Sequence, residues 1–247
     1  MPSDLLAILQ SSAQEKHRDF SNKLKISDFP EQVLGVPLPR LREIGRDTAK
    51  AYPSLSSLLK AVEKGLDRYV EMRSLFILAG CRLCRTQEDW LVYLDQQTRL
   101  LDGWANSDLL LGELGKKLHR TEVSTAFTQL FNAQMPNPYA LRLFVTLNMY
   151  QAKHGKKIKN ILADLKQTEH AWDLLTLRQA VAWTLATLSI EHFNVIYQEW
   201  YCAPLSPEHP RKEQIEMTLK LYRQKMRESK RIPREYCALL LSNSDSF

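Results

Sequence analysis

"MRSLFILAG", residues 72–80, sets an aliphatic residue and an arginine ahead of an almost unbroken apolar run. Its likeness returns as "LREIGRDTA" at 41–49, "LRLFVTLNM" at 141–149 and "LRQAVAWTL" at 177–185. Arg73 follows Arg42 by 31 residues and Arg178 follows Arg142 by 36, while 69 residues, two periods, separate the middle pair. One repeat is therefore hidden in that gap, with its arginine position near 107 or 108. "SDLLLGELG" begins there at Ser107, and the residue in register is Asp108. A period of 31 to 36 residues points to stacked helix pairs, each burying its neighbour's apolar face. The expected fold is an all-α helical-repeat solenoid with a concave basic groove.

Working outward, strand signals are nearly absent: there is no Asn-Gly turn, and only eight glycines occur in 247 residues. The eleven prolines cluster where helices start or stop, leaving the chain uninterrupted from Pro53 to Pro136 and from Pro138 to Pro204. Within those intervals apolar residues recur at three- and four-residue spacing, as in Leu75, Leu78, Ala79 and Leu83. The reading is one helical-repeat domain over 1–247, about six helix pairs by the repeat length, with 205–247 as its basic C-terminal helical extension. Hydrophobic content of 44% with 25% charged residues fits a folded globular chain. No apolar run reaches the roughly 20 residues that cross a bilayer, and "MPSDLLAILQ" lacks the pattern of a secretory signal. A cytoplasmic monomer with no membrane contact is expected.

Cys81 and Cys84 form a CxxC, but no second pair follows at zinc-site spacing, so two small residues of a reduced helical core are expected and no metal. The net charge of +6 is concentrated: between Arg211 and Arg234 stand nine Lys or Arg against three Glu, an excess as large as that of the whole chain. Such a surface suits nucleic acid, or serves solubility alone.

In a stack, the equivalent helices line one side, so Arg42, Arg73, Asp108, Arg142 and Arg178 fall in a row. A row of guanidiniums suits phosphates, each forking onto two oxygens. The alternative for any of them is an ion pair with a neighbouring helix. Trp104 lies one turn before Asp108 and Trp183 five residues after Arg178. Two indoles, a carboxylate and a guanidinium suit a flat cationic substrate beside a phosphate. An indole face attracts a cation by roughly 0.5–2 kcal/mol. A carboxylate about 4 Å from a developing positive charge contributes up to ~4 kcal/mol at an effective dielectric near 20.

Five separated motifs together resemble the AlkD family of DNA alkylation repair glycosylases, over roughly Phe20 to Trp200. "LGVPLPRLREIGRD" is similar to its Gly-Val-x-x-Pro-x-Leu-Arg signature through Gly35, Val36, Pro39, Leu41 and Arg42. "YVEMRSLFILAG" resembles its Glu-x-Arg helix through Glu71 and Arg73, and "GWANSDLL" keeps a Trp-x-x-x-Asp pair as Trp104 and Asp108. "PNPYALRLFVTL" puts Arg142 at the family's site arginine, and "LRQAVAWTL" puts Trp183 at its second aromatic. The resemblance implies a HEAT-like repeat fold and a monofunctional hydrolase of base excision repair. Its substrate would be double-stranded DNA containing cationic N3- or N7-alkylpurines, without metal or cofactor. Asp108 would stabilise the oxocarbenium-like sugar and position water, Trp104 and Trp183 would contact the lesion nucleotide, and Arg142 would hold a flanking phosphate. Arg42, Arg73 and Arg178 would bind DNA. The chain departs from the family at Ala105, where an acid is usual, and at Ala186 and Thr187, where Arg-Glu often follows the second tryptophan. A noncatalytic DNA-binding protein of the same fold is the alternative, and a protein-interaction scaffold a third.

Overall fold

The computed structural model describes residues 4–202, 206 and 208–242, and among them the chain forms thirteen α-helices and no strand. Pro204 and Pro207, two of the predicted helix punctuators, lie outside the described residues. The helix starts follow local chemistry. Ser54 and Ser57 cap each other reciprocally at α4 (Leu55–Leu66), each backbone N–H donating to the other's hydroxyl at 3.2 Å. Thr86 and Asp89 do the same at α6 (Gln87–Leu100). Asn137 caps α9 (Pro138–Lys153), whose first residue is a proline with no N–H to satisfy.

The helices fall into two compact units, Met1–Asn132 and Ala133–Phe247. In the first, α3 (Leu38–Ala51) packs on α5 (Val70–Leu83), which packs in turn on α7 (Trp104–Gly115). A second row runs through α4, α6 and α8 (Thr121–Leu130). Every residue of α5 except Arg82 is buried, so "MRSLFILAG" is the central helix of this unit. In the second unit α9 is buried from Ala140 to Met149 and packs on α11 (Leu175–Ile196). Helix α11 also receives α10 (Ile158–Gln167) and α12 (Lys212–Glu228). A last helix, α13 (Arg234–Ser242), follows α12.

The repeat predicted from sequence has a structural counterpart. Arg42, Arg73, Asp108, Arg142 and Arg178 are each the fourth or fifth residue of α3, α5, α7, α9 and α11. Asp108 thus stands at the same position in α7, the fifth, as Arg42 in α3 and Arg142 in α9.

A buried polar network holds the first unit together. The Arg73 guanidinium donates to the Leu66 carbonyl, to Gln32 Oε1 at 2.7 Å and to Asp102 Oδ2 at 2.6 Å. Leu66 ends α4, so the arginine satisfies a carbonyl that the helix leaves without an internal partner. Asp102 also accepts from Ser27 Oγ at 2.7 Å and from Asn106 Nδ2 at 3.2 Å, and Asn106 Oδ1 accepts from Ser74 at 2.6 Å. Beside it, the buried Glu71 carboxylate accepts the consecutive backbone N–H groups of Leu34, Gly35 and Val36 at 2.6–3.2 Å. That concave arrangement needs Gly35, at φ +91°, where a Cβ would sit 2.6 Å from the Gln14 carbonyl oxygen. At Gly103 a Cβ would lie 2.0 Å from the Ile26 carbonyl oxygen, so only glycine lets this backbone approach the 26–27 segment.

Removing one member of a buried ion pair leaves the other charge uncompensated, at a cost of about 3–5 kcal/mol. Asp102→Ala should therefore lower unfolding free energy by about that amount, measured as a urea midpoint. The double variant Arg73→Met/Asp102→Leu, which removes both charges, should recover most of the loss. Equal destabilisation by the single and double variants would show that packing, and not the charge pair, sets the stability here.

Candidate functional site

Helix α7 offers the first unit's accessible chemistry. Its inner side, Asn106, Ser107, Leu110, Leu111 and Leu114, is buried, whereas Trp104, Ala105, Asp108, Leu109 and Gly112 are half-buried. Trp104, Asp108 and Gly112 succeed one another at four-residue spacing and so share a face. The face is low-lying around its carboxylate. Ala105 adds only a methyl group, and a Cβ built at Gly112 would meet no atom within 4 Å. A flat group thus has room to approach the helix backbone at Gly112, one turn beyond the acid. The Trp104 side chain is oriented by its own hydrogen bond, with Nε1 donating to the Leu24 carbonyl at 3.3 Å. Gly103 and Asp102 fix the start of the same helix, so the polar network positions this face.

The four arginines of the row stand in different surroundings. Arg73 is 4% exposed, with Nη1 donating to Leu66 and Nη2 to Gln32 and Asp102, a position that turns it away from the DNA contact expected of it. Arg142 is 6% exposed, and its Nη1 donates to the Thr176 carbonyl at 2.8 Å in the first turn of α11. It links α9 to the next repeat's helix; the expected phosphate contact would need it to leave that position. Arg178 is half-buried and donates to the carbonyls of Trp172 and Asp173, the turn that leads into α11. The physical reason is common to all three. A guanidinium carries five N–H donors and a permanent charge, so at a helix seam it is stable only when it collects internal acceptors. Arg42 is different: it is exposed on α3, with no side-chain hydrogen bond or ion pair among the described residues.

Trp183 is half-buried on α11, with Ala182 and Thr184 on either side buried. Ala186 is also buried while Thr187 is half-buried, so a cation at 186 would have had to enter the core. Sequence reasoning missed Asp102, Gln32 and Ser27, which make no repeat. The one available signal was Asp-Gly before a helix start, a turn pair with a charge to place.

Cys81 and Cys84 are both buried and unbridged. Cys81 Sγ lies 3.2 Å from the Tyr93 hydroxyl, which itself donates to the Ile77 carbonyl. Burial pushes the Cys81 thiol up to about 12 and raises Cys84 and Tyr93 as well. Among the described residues no three His, Cys, Asp or Glu side chains are grouped to hold a metal ion. Likewise, no helix among them is long and apolar enough to cross a membrane.

No family model matches the chain, and no curated protein or solved structure matches it significantly.

The raised thiol gives a pH-dependent stability with a definite sign. An unfolded thiol ionises near 9, while folded Cys81 holds its proton to about 12. Its contribution is complete below 9 and is lost as pH rises towards 12, because the unfolded chain releases the proton first. Native protein should accordingly show slow alkylation of Cys81 and Cys84 at pH 8 and fast alkylation of the exposed Cys202, with all reacting in urea. Peptide mapping after a short pulse of iodoacetamide distinguishes them, and rapid native labelling of Cys81 would contradict its burial.

Proposed function

We propose that this protein is a monofunctional DNA glycosylase that hydrolyses the N-glycosidic bond of cationic N3- or N7-alkylpurines in duplex DNA. The observation that carries the reading is the α7 face, where Trp104, Asp108 and Gly112 succeed one another on one half-buried side, with open space at Gly112. It is supported by the register of Asp108 within five matching helix positions. The alternating helix rows inside the first unit support a curved, HEAT-like stack as the larger architecture.

The chemistry asks little of the protein. A cationic alkylpurine leaves as a neutral base, so cleavage needs neither a strong general acid nor a metal or cofactor. As the bond to C1′ lengthens, positive charge grows on the sugar. The Asp108 carboxylate opposes that charge and aligns the attacking water, an electrostatic role in which prearrangement supplies most of the gain. Trp104, already fixed by Leu24, offers its ring to the deoxyribose, and half-buried Trp183 offers an aromatic surface to a nucleotide. Arg42 remains available for phosphate. In this scheme Arg73, Arg142 and Arg178 act by holding helices, as their hydrogen bonds indicate.

Asp108→Asn retains shape and hydrogen-bonding capacity and deletes the charge. Single-turnover release of 7-methylguanine should then slow by about two to three orders of magnitude, the equivalent of ~4 kcal/mol or slightly less. Affinity for unmodified duplex should stay level or rise slightly. Equal excision by wild type and variant would remove Asp108 from the chemistry. Absence of excision by wild type, with duplex binding retained, would make the noncatalytic DNA-binding module the better description.

A further inference from the structure

With most of the arginine row turned inward, the unpaired positive charge lies elsewhere. Lys220 and Arg227 on α12, then Lys230 and Arg231 in the following turn and Arg234 at the start of α13, are all exposed. None of the five has an ion pair or a side-chain hydrogen bond among the described residues. Of the four acids nearby, Glu216 and Glu228 are engaged, while Glu213 and Glu235 are exposed. Glu216 lies 3.8 Å from Lys212, and Glu228 accepts from Lys225 and Gln224 at 2.7 Å, which lowers its carboxyl below the usual range.

The strip is held in place. On the opposite side of α12, Thr218, Leu219, Tyr222 and Met226 are buried, and the Tyr222 hydroxyl bonds with Ser189 of α11 at 2.8 Å. Ile232 is buried between Arg231 and Arg234, pinning the turn that carries the last three cations. Lys220 and Arg227 are two turns apart, about 10 Å along the helix, a span that covers about three phosphates of one DNA strand. Of the large apolar side chains of α12, Leu219, Tyr222 and Met226 are buried and Ile215, Met217 and Leu221 half-buried, so none is fully exposed for insertion into a lipid interface.

We infer that this fixed basic strip, Lys220 to Arg234, is a docking surface for the sugar–phosphate backbone of duplex DNA. It rests on the nucleic-acid part of the proposed function and is independent of the chemistry at Asp108. Its contribution is positioning without base readout, since point charges on exposed stems contact phosphate and carry no sequence information.

The test uses the full chain and the variant Lys220→Gln/Arg227→Gln/Arg231→Gln, with binding of unmodified duplex followed by fluorescence anisotropy across a salt series. Removing three phosphate contacts should reduce the slope of log affinity against log salt by about 3, with up to about 500-fold weaker binding at 0.1 M salt. The thermal midpoint should not move, because all three side chains are exposed. The same result with a wild type that releases no alkylated base would support the strip and overturn only the glycosylase reading. An unchanged slope and affinity would overturn the strip while leaving excision to be judged by its own assay. Wild-type binding to phosphatidylserine vesicles but not to duplex would overturn it in favour of a membrane surface. No duplex binding by wild type at low salt would overturn both proposals together.

Discussion

Arg73 carries a permanent charge in a helix with almost no exposed surface, and the first unit is arranged around satisfying it. Its donors reach the end of α4, the segment before α3 and the residue that precedes Gly103 and α7. Each acceptor is fixed in turn: Asp102 by Ser27 and Asn106, Asn106 by Ser74. Desolvating a guanidinium is expensive, and the attraction of one nearby carboxylate does not by itself guarantee net stability. What such a network does enforce is geometry, because any displaced partner leaves a buried polar group unsatisfied. The start of α7 is consequently specified, and with it the direction in which Trp104 and Asp108 project.

The same constraint explains how one short stretch of chain supplies both an enclosed and a half-buried carboxylate. Asp102 and Asp108 are six residues apart, yet they stand in different surroundings. Asp102 precedes the helix, where the chain crosses the 24–32 segment closely enough to require Gly103. Asp108 lies a turn and a half further on, on the half-buried side beside Ala105 and Gly112. Small residues, Ala105 and Gly112, stand beside the second acid, with open space at Gly112, while the first accepts from Arg73, Ser27 and Asn106. The residues resembling a repair-family signature at Gly35, Val36, Glu71 and Arg73 belong to the enclosed set. They brace the fold, and the proposed chemistry depends on them only through the position of α7.

Charge is divided in a similar way. Arg73, Arg142 and Arg178 sit near helix N-termini with backbone carbonyls within reach. They therefore stitch one element to the next, as Arg142 does to Thr176. Lys220, Arg227, Lys230 and Arg231 have an apolar side chain, Tyr222, Met226 or Ile232, anchoring the chain beneath them and solvent in front. Being held from behind without an internal acceptor is what makes those residues suited to an external anion.

The sequence by itself determined the helical class, the period and the placement of Asp108 at an arginine position, because apolar spacing and proline punctuation are local properties of the chain. It also located the positive excess between Arg211 and Arg234 and the unbridged character of Cys81 and Cys84. It treated Arg42, Arg73, Arg142 and Arg178 as equivalent, since all occupy one register of one repeat. Only tertiary structure separated them into an exposed, two buried and a half-buried side chain. The deciding acceptors, Asp102, Gln32, Leu66 and Thr176, lie between 7 and 41 residues away along the chain. Three of those contacts span a helix or more, beyond the reach of any local pattern. Whether a guanidinium faces phosphate or carbonyl depends on what the fold brings beside it, and periodicity records only the side of the helix on which it begins.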